Sequence, residues 1–96
     1  GTVGVEENPL FSMDMNVYPN PTNANEGINI DYHANGEAVE FQLMDIQGKV
    51  LTTETNNTVN AAVTHKLSLN NQLATGVYYL KIKQGDFNVT KKVVIL

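Results

Sequence analysis

Two histidines, His33 and His65, are the side chains of this chain best suited to proton transfer near neutral pH. Neither has a partner at metal-ligand spacing, and each falls at the end of an expected strand, so both read as structural positions. The absence of cysteine removes disulfides, thiolate zinc sites and a thiol nucleophile. Ser12 and Ser68 have no base in any recognisable nucleophile motif. Glu6 and Glu7 are adjacent carboxylates ahead of the first regular element and read as solvated charge. Asn23, Asn25 and Glu26 set oxygens along one loop, but most are neutral and their spacing fits no calcium-binding frame. Asp45 opens a turn containing Gly48, where a short carboxylate bonds nearby backbone N–H groups more readily than it does acid catalysis. Two glycosylation-type triplets, Asn56-Asn57-Thr58 and Asn88-Val89-Thr90, are short enough to recur by chance. The residues therefore imply no catalytic constellation, no metal site and no cofactor.

The charge is unevenly placed. Net charge is −4, yet residues 1–55 carry nine carboxylates against Lys49, and residues 56–96 carry five lysines against Asp86. Early and late strands that attract each other would explain this; so would a basic docking edge around Lys91 and Lys92. An acidic chain without arginine is a poor nucleic-acid binder.

The elements that position these residues follow a period of two. Apolar residues alternate with polar ones in Met13, Met15, Val17; in Ile28, Ile30, Tyr32; in Val39, Phe41, Leu43; in Leu67, Leu69; and in Tyr78, Leu80, Ile82. Strands are expected near 12–18, 28–33, 38–45, 49–55, 64–70, 76–84 and 87–95. Between them stands turn chemistry. Pro19 and Pro21 remove backbone donors, Asn35-Gly36 is a strong turn pair, and Gly85-Asp86 suits a two-residue hairpin with glycine first. Ninety-six residues suffice for one core. Seven short strands with regular turns predict an all-β, immunoglobulin-like β-sandwich of antiparallel strands with Greek-key connections. Leu73, Gly76 and Tyr78 have the spacing of a tyrosine corner, in which the tyrosine hydroxyl bonds upstream backbone. Residues 1–12 read as a leader and residues 13–96 as the domain. Gly1-Thr2-Val3-Gly4 has neither the basic start nor the apolar stretch of a secretory signal, so an exported form would need one on a longer precursor.

Four ordered motifs share one further resemblance: Tyr18-Pro19-Asn20-Pro21-Thr22-Asn23, the hairpin around Asp45-Ile46-Gln47-Gly48-Lys49, Leu73-Ala74-Thr75-Gly76-Val77-Tyr78, and Lys91-Lys92-Val93-Val94-Ile95. Over about residues 13–96 the set resembles the C-terminal sorting domain of type IX secretion substrates. That resemblance implies a non-catalytic signal. It implies a covalently linked upstream cargo, transit through the periplasm, and passage across an outer-membrane type IX translocon to the cell surface or beyond. It also implies removal of the domain by a sortase-like peptidase. Lys91, Lys92, Val93, Val94, Ile95 and Leu96 become the expected recognition residues, offered on an edge strand to a partner. Pro19, Asn20, Pro21, Asp45, Gly48, Leu73, Gly76 and Tyr78 become fold motif residues. Cleavage is expected within or just before residues 1–12, and the terminal hairpin allows a strand-swapped homodimer. The alternative is an adhesive or carbohydrate-binding sandwich that uses Tyr79 and Phe87.

Overall fold

A strand sends successive side chains to opposite faces, and this chain sustains that alternation seven times. The computed structural model describes residues 15–57, 61–69 and 73–96. Its strands are β1 Asn16–Tyr18, β2 Ile28–His33, β3 Val39–Met44, β4 Val50–Asn56, β5 Ala62–Leu67, β6 Gly76–Gln84 and β7 Phe87–Ile95. They form two sheets, β1-β2-β5 and β4-β3-β6-β7, whose strand pairs are all antiparallel. The expected immunoglobulin-like β-sandwich is the fold observed, with no helix among the described residues.

The core lies between the sheets. Ile28 and Ile30 of β2 meet Val39, Phe41 and Leu43 of β3, Leu80 and Ile82 of β6, and Val93 and Ile95 of β7, all fully buried. Each such side chain contributes about 1.5–3 kcal/mol by leaving water. Strand β5 begins two residues before its expected start. Ala62 already pairs with His33, and Val63, His65 and Leu67 share the inward parity, whereas Ser68 is exposed. Residues 12–14 of the expected first strand lie outside the described residues.

Local chemistry fixes the turns. Gly85 has φ of +60° and, among the described residues, no non-glycine residue has positive φ, which makes Gly85-Asp86 a type II′ turn between the paired Gln84 and Phe87. In the β3–β4 turn the Asp45 carboxylate accepts from the Gln47 N–H at 2.8 Å and the Lys49 N–H at 2.9 Å, while Gly48 takes φ of +88°. Tyr78 donates its hydroxyl to the Ala74 carbonyl at 2.7 Å, which is the tyrosine-corner bond.

Glycines 27 and 48 separate two costs. Both have positive φ, but an added Cβ at Gly48 meets nothing within 4 Å, whereas at Gly27 it would stand 2.8 Å from the Leu67 carbonyl oxygen. Gly48→Ala should cost about 1–2 kcal/mol from backbone conformation alone. Gly27→Ala should cost clearly more, because β2 and β5 must also part. Thermal denaturation of both variants checks the order; equal losses would contradict the close approach.

Candidate functional site: the terminal strand and the segment that clamps it

Strand β7 is the edge of its sheet. Its side chains alternate, so the lysine pair is divided between faces. Lys91 lies opposite Leu80 on the core side and is half-buried, whereas Lys92 lies opposite Tyr79 on the outer side and is exposed. Val93 and Ile95 belong to the core at 0% exposure. Val94 is half-buried on the outer face and Leu96 is exposed. Of the six terminal residues read as a recognition element, then, Lys91, Lys92, Val94 and Leu96 present surface to a partner, and Val93 and Ile95 hold the sandwich together.

An edge strand turns every second residue's backbone groups outward. On β7 these belong to the even-numbered residues. The expectation of an open edge is corrected along its last part, which is already occupied. The Asn20 side chain acts as a substitute peptide: its Nδ2 donates to the Lys92 carbonyl at 2.9 Å and its Oδ1 accepts from the Val94 N–H at 3.0 Å. Next, the Thr22 N–H donates to the Val94 carbonyl at 2.9 Å, and the Leu96 N–H donates to the Thr22 carbonyl at 2.8 Å. Thr22 and Ile95 thereby form a parallel bridge. The chain pairs with β2 as β1, then leaves that sheet at Pro19-Asn20-Pro21 and joins the other one. The Tyr18-Pro19 and Asn20-Pro21 peptide bonds are both cis. Thr22 is buried, and its hydroxyl donates to the Gly27 carbonyl at 2.9 Å. Among the described residues, nothing covers the outward groups of Asn88 and Thr90.

The opposite opening of the sandwich, between β4 and β5, is closed by side chains. His65 Nε2 lies 2.8 Å from Glu54 Oε1. The imidazole stacks on Phe41 with ring centroids 4.2 Å apart and planes 2° from parallel. Asn56 Nδ2 donates to the Tyr32 hydroxyl at 3.0 Å. This histidine joins the sheets, and His33 is placed apart from it at the end of β2. Neither pairing was legible in advance, because Glu54 and His65 meet only after the strands are stacked. The signal available was their shared inward parity on two edge strands.

On the outer face of the β1-β2-β5 sheet, Asp31 Oδ1 accepts from the Thr64 hydroxyl at 2.6 Å and the Tyr18 hydroxyl at 3.1 Å. The bond to Asp31 favours the protonated phenol, so Tyr18 titrates above the ordinary tyrosine range. The loop of Asn23, Asn25 and Glu26 uses its side-chain oxygen internally: Asn23 Oδ1 accepts from the Asn25 and Glu26 N–H groups at 3.0 and 3.1 Å. The two aromatics of the sugar-binding alternative are on opposite faces. Tyr79 points outward, whereas Phe87 sits opposite Gln84 on the core side and packs on the core.

The family model described as a secretion system C-terminal sorting domain matches residues 16–96. That span takes in the clamp, the Asp45 turn, the tyrosine corner and β7, and the chain belongs to this family. Members of it mark substrates of type IX secretion, which are exported to the cell surface or the extracellular space. A comparison with curated proteins finds no match.

Asn20→Ala removes two bonds to β7 while leaving the core untouched. It should lower stability by about 1–2 kcal/mol and speed hydrogen exchange at the Val94 and Leu96 amides on the order of tenfold. Unchanged protection at those two amides would show that Asn20 does not hold the edge.

Proposed function

We propose that this domain is a non-catalytic export address for a covalently linked cargo, read by the outer-membrane translocon at Lys91, Lys92, Val94 and Leu96. The carrying observation is the family match over residues 16–96. It is joined to a terminal strand that is half core and half presented surface. Val93 and Ile95 contribute by fixing that strand in register, so that a partner meets the lysines and Leu96 at set positions. The backbone groups of Asn88 and Thr90, without a partner among the described residues, give the same partner a short stretch for strand addition. The remaining β7 edge is closed to it unless Asn20 and Thr22 let go.

The route runs through the periplasm, and a sortase-like peptidase at the surface then separates cargo from domain. Residues 1–12 carry the cleavage region, since a packed sandwich strand resists proteolysis. Mass spectrometry of the released cargo should place its last residue within or just before residues 1–12. A terminus inside residues 13–96 would overturn this.

Deleting residues 91–96 is a poor test of recognition, because it removes two fully buried side chains with the surface ones. The paired change Lys92→Glu and Leu96→Asp alters only exposed positions. A reporter fused ahead of residues 1–96 should then reach the surface roughly tenfold less and accumulate in the periplasm, with the thermal midpoint of the domain nearly unchanged. Full surface display of that folded variant would remove these residues from the recognition element.

A further inference from the structure

The exposed apolar side chains of this domain are not scattered. Tyr18, Ile46, Val50, Val77, Tyr79 and Leu96 are the large ones at the surface of the described residues, and all but Tyr18 lie at one end of the β4-β3-β6-β7 sheet. The register shows how they adjoin. Met44 stands opposite both Val50 and Tyr79, Tyr79 opposite Lys92, and Val77 opposite Val94. Ile46 tops the neighbouring turn at 71% exposure. Single exposed apolar residues are ordinary on any protein, but a contiguous group on one sheet face marks a contact surface.

The charge on this face indicates what it meets. Lys81, Lys83 and Lys92 all project outward from it, and Glu40, opposite Lys83, is the one carboxylate at an outward position of the four strands. Among the described residues none of these lysines is within ion-pair distance of a carboxylate; the one such pair is His65 with Glu54. The uneven charge of the sequence therefore leaves a cationic border beside an apolar patch, and attraction between early and late strands does not use it up.

We propose that this face is a docking surface for a protein of the outer-membrane secretion machinery whose contact region is apolar with carboxylates at its rim. It rests on the sorting function proposed above and extends it: the address comprises the outer face of β3, β4 and β6 as well as the last residues of β7. Val94 and Lys92 belong to both, so the surfaces are continuous. Tyrosine and methionine are enriched in protein interfaces, and carboxylates around the apolar centre would meet the three lysines. A second copy fits poorly, since this face offers only Glu40 as an outward carboxylate to meet three lysines.

The test uses residues 1–96 fused behind a soluble reporter, with Val77→Glu/Tyr79→Glu as the main variant and Val77→Thr/Tyr79→Thr as a milder one that keeps strand-favouring residues. Ala62→Glu, on the other sheet, is the control. Both patch variants should retain the thermal midpoint of the parent. Export should fall about tenfold or more for the glutamate pair, less for the threonine pair, and not at all for Ala62→Glu. Binding of the purified domain to the purified outer-membrane translocon should weaken in the same order, and should weaken with added salt. Normal export of both patch variants, with export blocked for Lys92→Glu/Leu96→Asp, overturns this inference and leaves the sorting reading standing. Normal export of all of them overturns both. Phosphatidylglycerol vesicles that bind the parent but not the glutamate pair would assign the face to lipid and overturn the proposal. A dimer seen by light scattering that the glutamate pair dissolves would assign it to a second copy, with the same result.

Discussion

The structure depends on one backbone arrangement, the pairing of residues 20–22 with the outer edge of β7. A two-layer sandwich has two lateral openings, and each exposes the edge strands beside it. Between β4 and β5 the opening is closed by side chains, with His65 against Glu54 and stacked on Phe41. Between β1 and β7 it is closed by main chain, because the segment after β1 crosses to the other sheet and Thr22 bridges Ile95 in parallel. The Asn20 amide completes that ladder where a proline on either side supplies no N–H. With this seam in place, Val93 and Ile95 are sealed into the core and the outer face of β7 has a fixed orientation.

That orientation makes β7 serve packing and display together, with Val93 and Ile95 in the core and Lys92 and Leu96 at the surface. Neighbouring residues on β7 have opposite fates because successive side chains point apart. The lysine pair, adjacent in sequence, is one rim charge and one face charge. Membership of the sorting-domain family concerns the domain as a whole; the alternation along β7 says which of its side chains face solvent and which face the core.

Much of this could be read in the sequence, and the remainder has a physical explanation. Five of the seven strands were visible because each keeps period two for at least part of its length, and the turns at Asp45 and Gly85 were visible because their residue types permit little else. Tyr78 was legible from spacing to Leu73 and Gly76. The clamp was not. Pro19 and Pro21 state that no regular strand passes there, but they say nothing of a partner that lies 72–74 residues further along. The Glu54–His65 tie was hidden for the same reason, as was the early start of β5, where Ala62 is too small to carry a periodic signal. Local chemistry writes itself into short windows of sequence, whereas contacts between distant strands are decided by how the sheets stack.

The Asn20 bond to Val94 also has a meaning in time. It joins groups 74 positions apart, so the seam can form only after nearly the whole described length is available. Before then the outward backbone groups of Lys92, Val94 and Leu96 lack these partners. Contacts of such long range are slow to assemble. The border of β7 is therefore among the contacts of longest sequence separation in the fold, and its assembly waits on the meeting of segments from opposite ends of the described residues.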